Sequence, residues 1–199
     1  MYSKKQTLAI YIAMLLSVVF AGTVTVLQLR ARQPAPPSLP ILAALPPFQV
    51  TDQNGRQVTG DDFRGHVWLA SFVYTTCPGP CPVITAHLAE LSQKLPPGVM
   101  LASFSTDPAN DTPAILKAYA AKYHAAGNWL FLTSPPANQY DLINHGFLMA
   151  ASAPAGAPIL HSTQIALVDQ SGGIRGYYDG ITRSSDDQIV ADVNRLLNQ

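Results

Sequence analysis

The sequence predicts an α/β domain, a central mixed sheet flanked by helices, preceded by one apolar helix. Three observations carry this expectation. A charge-free run of 22 residues lies near the N-terminus, six prolines crowd residues 33–47, and from residue 48 onward β-type runs alternate with segments of helical spacing.

The apolar run, LAIYIAMLLSVVFAGTVTVLQL over 8–29, is flanked by Lys4 and Lys5 before it and by Arg30 and Arg32 after it. At about 1.5 Å per residue such a helix reaches about 33 Å, enough for a bilayer core of about 30 Å. A cleaved signal peptide would use Val19, Phe20 and Ala21, but the run continues past them and exceeds an ordinary signal core. The expectation is therefore a short cytoplasmic segment at 1–7, a single-pass anchor at 8–29, and a C-terminal domain on the extracytoplasmic side of the cell membrane. Residues 30–47 read as a proline-rich linker, extended and semi-rigid. The domain follows over 48–199.

Within that domain, 48–59 reads as a hairpin turning at Asn54 and Gly55, and HVWLASFVY at 66–74 as the densest strand. Helical spacing follows over 82–95, a strand over 99–104 and a helix over 112–123, with Asp111 as its N-cap and Pro113 in its first turn. A strand at 129–133 and a helix around 139–147 come next. The chain closes with strands at 164–169 and 174–178 about a turn at 171–173, then a helix over 186–197.

The 12 basic and 12 acidic residues cancel, but residues 1–32 hold four bases and no acid, leaving 8 bases against 12 acids in the rest. A mildly acidic domain without a basic patch argues against nucleic acid as a partner. Two cysteines exclude a disulfide-rich scaffold and a four-cysteine zinc site.

Both cysteines lie in TTCPGPCP at 75–82, between the densest strand and a helix. Free N–H groups and the positive helix end at such a junction favour thiolate, and prolines 78, 80 and 82 stiffen the loop. Three intervening residues allow a disulfide, a redox-active pair, or two soft ligands for one metal ion, Cu(I) above zinc. A plain stabilising disulfide or two buried thiols is the competing assignment.

Of five histidines, His66 opens a strand, His87 and His124 fall on helices as solvated or capping side chains, and His145 suits a helix C-terminus. His161, just before a strand, is the candidate ligand. Asp107 and Asp111 fit turn and capping chemistry better than acid–base work. No nucleotide-binding loop or hydrolase signature is present.

Three segments in order, FVYTTCPGPCP at 72–82, SFSTDPANDTPAILKAYAAKY at 103–123 and LHSTQIALVDQSGGIRGYYDG at 160–180, resemble the Sco/SenC (PrrC-like) family of membrane-anchored copper proteins. The resemblance covers about 46–197 and implies a thioredoxin-like fold. It implies copper, as Cu(I) and also Cu(II), held by Cys77, Cys81 and His161. It further implies copper delivery to, or thiol maintenance of, the binuclear copper site of cytochrome c oxidase, with that copper-site subunit and a copper donor chaperone as partners. Copper would pass by ligand exchange from a weakly protected site at the sheet edge, and oxidation of Cys77 and Cys81 to a disulfide would switch binding off. A metal-independent thiol–disulfide oxidoreductase or redox sensor using the same pair is the alternative, and a proline that thioredoxin enzymes carry is absent at Ser162 and Thr163. The family's usual acid before the histidine is Leu160 here, and the approach over 150–158 is small and flexible. The change predicts weaker discrimination in favour of Cu(II).

Overall fold

The computed structural model describes residues 4–31, 38–153 and 159–199, in two compact units, one within residues 1–37 and one over 38–199. The first unit is helix α1, Lys4–Ala31, which contains the whole charge-free run. Leu8, Ile12, Leu15, Leu16, Val19 and Phe20 are all exposed on it. Among the described residues no helix meets the length and hydropathy of a membrane span. The helix itself stands where the sequence places it.

The second unit is built on an eight-stranded mixed sheet. In chain order its strands are β1 (Ala43–Ala44), β2 (Gln49–Asp52), β3 (Gln57–Thr59), β4 (Trp68–Val73), β5 (Met100–Ser105) and β6 (Trp129–Thr133). After the two-residue strands β7 (Ala151–Ser152) and β8 (Leu160–His161), which pair only with each other, come β9 (Gln164–Val168) and β10 (Gly173–Asp179). The spatial order is β1-β10-β9-β4-β5-β6-β2-β3, with β4, β5 and β6 parallel and the other neighbours antiparallel. Helices α2 (Pro80–Ser92), α3 (Pro113–Lys122), α4 (Pro136–Asp141) and α5 (Asp186–Leu197) complete the unit.

The period of two along each central strand sorts side chains onto two cores. Trp68, Ala70 and Phe72 of β4, Ala102 and Phe104 of β5, Leu130 and Leu132 of β6, and Ala166 and Val168 of β9 share one face with Phe63, Leu142 and Phe147. Leu69, Leu101, Trp129, Phe131, Ile165 and Leu167 face the other way, where α2 supplies Ile84, Leu88 and Leu91, α3 Leu116 and Tyr119, and α5 Ile189 and Val193. Ser71 and Ser103 are buried on this second face, but their hydroxyls lie 2.8 Å apart and Trp129 Nε1 donates to Ser103 at 2.9 Å, so neither is left unpaired.

Most predicted elements stand where the hydrophobic pattern puts them, and the hairpin turns at Asn54 and Gly55, with φ of +81° at the glycine. Four details differ. The proline-rich stretch is not all spacer: β1 pairs with β10, Leu42 N–H donates to the Ile174 carbonyl at 2.8 Å, and Arg175 reaches both the Asp169 carboxylate and the Leu39 carbonyl. The second compact unit thus takes in residues of the stretch read as linker. The helix expected over 139–147 is α4 followed by a π-helical turn, Leu142–Gly146. There His145 Nδ1 meets Asp141 at 2.8 Å.

His87 is fully buried rather than solvated, its Nδ1 2.9 Å from the Gly180 carbonyl and its Nε2 2.6 Å from Asp186. Asp111 is not the N-cap of α3, since Thr112 takes that place and its side chain accepts from Ile115 N–H at 3.4 Å.

Candidate metal centre

The site forms where β4 ends and α2 begins. β4 is a central strand with parallel β5 on one side and antiparallel β9 on the other, and in open α/β sheets the carboxyl end of such strands is where ligands sit. The expected position at the sheet edge is therefore corrected, because the donors lie at the end of a strand covered on both faces. Protection is uneven, with Cys77 at 7% exposure and Cys81 at 0% but His161 only half-buried.

Three steps position the sulfurs. Tyr74 leaves β4, and its carbonyl accepts the Cys77 N–H at 3.2 Å, closing a turn that points the first thiol back at the strand. Gly79 is the N-cap of α2 and Pro80 its first residue, where the missing proline N–H costs nothing. Cys81 is then in the first helical turn, with its carbonyl accepting from Thr85 Oγ1 at 2.8 Å and its sulfur from Tyr74 N–H at 3.4 Å.

His161 arrives from β8. β9 runs antiparallel to β4 in the register Trp68 to Val168 and Ala70 to Ala166, so the residues leading into β9 lie beside those leaving β4. The His161 Nδ1 is 3.0 Å from the Ser162 carbonyl, a group that only accepts, so Nδ1 carries the proton and Nε2 presents its lone pair. That Nε2 is 3.3 Å from Cys81 Sγ. The two sulfurs and one His161 ring nitrogen lie within 4.8 Å of one another, the one such three-residue group among the described residues.

The two thiols differ in electrostatics although both are free. Burial pushes Cys77 up, but hydrogen bonds from the Cys81 thiol and from the Cys81 and Gly79 N–H groups outweigh it and hold Cys77 below its ordinary value. Burial pushes Cys81 far above the usual thiol range, and its bond to Cys77 adds to this. The helix-end argument therefore holds for one cysteine only. The Tyr74 phenol is raised to about 12 by burial and by its hydrogen bond with Cys77.

A metal ion holding three donors at roughly 2.0–2.3 Å keeps them about 3.5–4 Å apart, so donors within 4.8 Å need only small shifts to close on one ion. Two thiolates and one imidazole are soft to borderline donors, suited to a soft monovalent ion more than to magnesium or calcium. His66, His87, His124 and His145 do not join the group.

Asp111, expected as a helix cap, instead braces the cysteine loop. It is buried and accepts Thr75 Oγ1 at 2.5 Å, Thr75 N–H at 3.3 Å and Ser105 Oγ at 2.6 Å, fixing the start of the cysteine loop to the end of β5. Its burial raises its pKa above the usual carboxylate value despite these bonds. Asp107 behaves as a turn residue, accepting Asn110 Nδ2 on both oxygens at 2.9 and 3.0 Å.

Sheet, helices and donor set together define a thioredoxin-like domain with a two-thiol, one-imidazole site. Comparison with known proteins then fixes the family. The SCO1/SenC family model matches residues 41–198. A SCO1 protein homolog of Bacillus subtilis (strain 168) is 34% identical over 160 residues, covering 77% of this chain and 83% of its own. Among solved structures, BsSco, a member of the Sco family of cytochrome c oxidase assembly proteins in which a disulfide switch has been identified, is 32% identical. It matches with a TM-score of 0.74 over 81% of this chain and 98% of its own. Bradyrhizobium japonicum ScoI with copper bound is 27% identical, with a TM-score of 0.67 over 77% of this chain and 99% of its own. The chain belongs to the SCO1/SenC family.

Proposed function

We propose that this protein is a membrane-anchored copper chaperone that holds one copper ion on Cys77, Cys81 and His161 and passes it to the copper-site subunit of cytochrome c oxidase. The observation that carries the proposal is the convergence of the three donor atoms within 4.8 Å while both thiols are free. A family member with copper bound and another described as an oxidase assembly protein support the cargo and the client.

Cu(I) suits the sulfur-rich set, and the imidazole lets the site accept Cu(II) as well. Loading displaces the remaining thiol protons, so binding is coupled to deprotonation of Cys81 in particular. Burial of both sulfurs means that a client must reach copper from the half-buried His161 side, taking it by stepwise ligand exchange. Oxidation of both thiols to a disulfide releases two electrons and two protons and removes two of the three donors.

The exposed apolar residues of α1 and the basic residues on both sides of the run support an anchor, and in this reading the folded unit lies on the extracytoplasmic side. A copper donor chaperone upstream completes the route.

The unequal thiols support a second reading, a thiol–disulfide oxidoreductase independent of metal. Cys77, held below its ordinary pKa, would attack a substrate disulfide, and Cys81 would resolve the mixed disulfide. Competition titration of the reduced full chain in detergent with Cu(I) separates the two. One equivalent bound by the parent and none retained by Cys77→Ala or Cys81→Ala supports the chaperone. Disulfide reductase turnover without any copper binding supports the second reading.

A further inference from the structure

One residue outside the donor set touches every member of it. Tyr74, the first residue after β4, donates its main-chain N–H to Cys81 Sγ at 3.4 Å and accepts the Cys77 N–H on its carbonyl at 3.2 Å. Its ring stands edge-on to the His161 imidazole, with centroids 5.6 Å apart and planes at 84°. Its phenol hydrogen-bonds with Cys77.

The contacts are not equivalent. Both cysteines are fixed by a covalent loop between β4 and the first turn of α2, and their main-chain contacts to Tyr74 are ones that any residue at position 74 could make, the phenol's contact with Cys77 being the one that needs tyrosine. Among the described residues His161 is held differently, by the Ser162 carbonyl at Nδ1 and by Cys81 Sγ beside Nε2. It comes from a two-residue strand paired only with β7, its preceding neighbour Leu160 is 63% exposed, and its Nδ1 is occupied by the adjacent carbonyl. Among the described residues the aromatic ring that stands against the imidazole is Tyr74, which packs on Val73, Cys77 and Cys81 in a small apolar cluster. An edge-to-face pair constrains both the separation and the tilt of two rings, and so the direction of the Nε2 lone pair. Outer contacts of this kind orient metal ligands and commonly change affinity by 10- to 100-fold when removed.

We propose that Tyr74 is the positioning residue of the centre, its ring holding the His161 imidazole edge-on so that Nε2 faces the sulfurs before any metal arrives. This inference rests on the assignment of Cys77, Cys81 and His161 as one metal centre, but the orientation it describes exists in the metal-free protein. It can therefore be measured apart from copper.

The experiment compares the full chain in detergent, reduced, with Tyr74→Leu and Tyr74→Phe. Leucine keeps both main-chain contacts and removes the ring, whereas phenylalanine keeps the ring and removes the hydroxyl. In the metal-free state the ring-proton resonances of His161, shifted by the neighbouring aromatic ring, move towards free-histidine positions in Tyr74→Leu and stay at the parent positions in Tyr74→Phe. Cu(I) affinity by competition falls about 10- to 100-fold in Tyr74→Leu and stays within about threefold in Tyr74→Phe. His161 resonances and Cu(I) affinity that are the same in Tyr74→Leu as in the parent overturn the inference and leave the copper reading standing. If no variant binds copper yet His161 still follows the ring at position 74, the copper reading falls and the positioning role stands. Equal loss in Tyr74→Phe and Tyr74→Leu also overturns the ring's role, since it makes the hydroxyl the operative group.

Discussion

Cys81 Sγ and His161 Nε2 lie 3.3 Å apart although 80 residues separate them in the chain. Their meeting depends on β4 and β9 being antiparallel neighbours and on the cysteine loop folding back over the end of β4. The pair predicts different losses on substitution. Cys81→Ala abolishes Cu(I) binding at neutral pH, and His161→Ala weakens it by about 100-fold or more, at or beyond the upper range for residues that only support a ligand. Competition with a Cu(I) chelator measures both.

The two thiols should react in sequence. Cys77 is held below its ordinary pKa and Cys81 well above it, so in the reduced metal-free protein Cys77 is the more readily ionised of the two thiols. Iodoacetamide should label Cys77 first, with its half-maximal rate at a lower pH than that of an ordinary free thiol. Cys81 should label only after unfolding. Peptide mapping after timed quenching reads the order, and equal labelling of both would contradict it.

Asp111 should matter to the centre without touching it. Asp111→Ala leaves the Thr75 and Ser105 donors without their buried acceptor, which costs about 1–3 kcal/mol for each group left unpaired. Denaturant unfolding of the reduced protein should show this loss. Cu(I) affinity should fall about tenfold, because the start of the cysteine loop is freed.

Asp169 gives a prediction in pH. Burial raises its pKa, but bonds from Ser171, Gly173 and Arg175 outweigh this and hold it below the ordinary carboxylate range. A folded-state pKa below the unfolded one means that its contribution is complete above about 4 and is lost as pH falls through the lower, folded value. Asp169→Asn should lower thermal stability at neutral pH and flatten the acid limb of the parent curve. The same change releases Arg175, which also holds the Leu39 carbonyl, so proteolysis near residues 38–45 should quicken.

His87 separates folding from function. Its ring ties α2 to Gly180, and Gly180 N–H donates to the Thr163 carbonyl at 3.1 Å, two residues from His161. A side chain at position 180 would fall 2.4 Å from that carbonyl, so only glycine fits. His87→Ala opens a buried cavity and leaves Asp186 short of a partner, a loss of about 2–4 kcal/mol. The Cys77, Cys81 and His161 set stays whole, so Cu(I) stoichiometry at low temperature should remain one.

The legible parts of this protein are those written in short-range pattern. HVWLASFVY shows its alternation, TTCPGPCP its strand-to-helix position, and Asn54 and Gly55 their turn. Hidden from that view is whatever depends on a partner far along the chain. His87 and Asp111 sit on segments that look solvated, and only the packing of α5 on α2 and of the cysteine loop on β5 turns them into buried acceptor and donor pairs. β1 was illegible for another reason, since two alanines among prolines carry no period, and their strand exists only because β10 offers an open edge. His161 was a candidate from position and family resemblance, while its proximity to Cys81 needed the register of β9 on β4.

The central claim is that Cys77, Cys81 and His161 hold one copper ion together. X-ray absorption at the copper edge, on the reduced full chain loaded with one equivalent of Cu(I), tests it most directly. The account predicts a three-coordinate spectrum with two sulfurs and one imidazole nitrogen, the nitrogen being lost in His161→Ala. A two-coordinate sulfur-only spectrum that is unchanged in His161→Ala would contradict it.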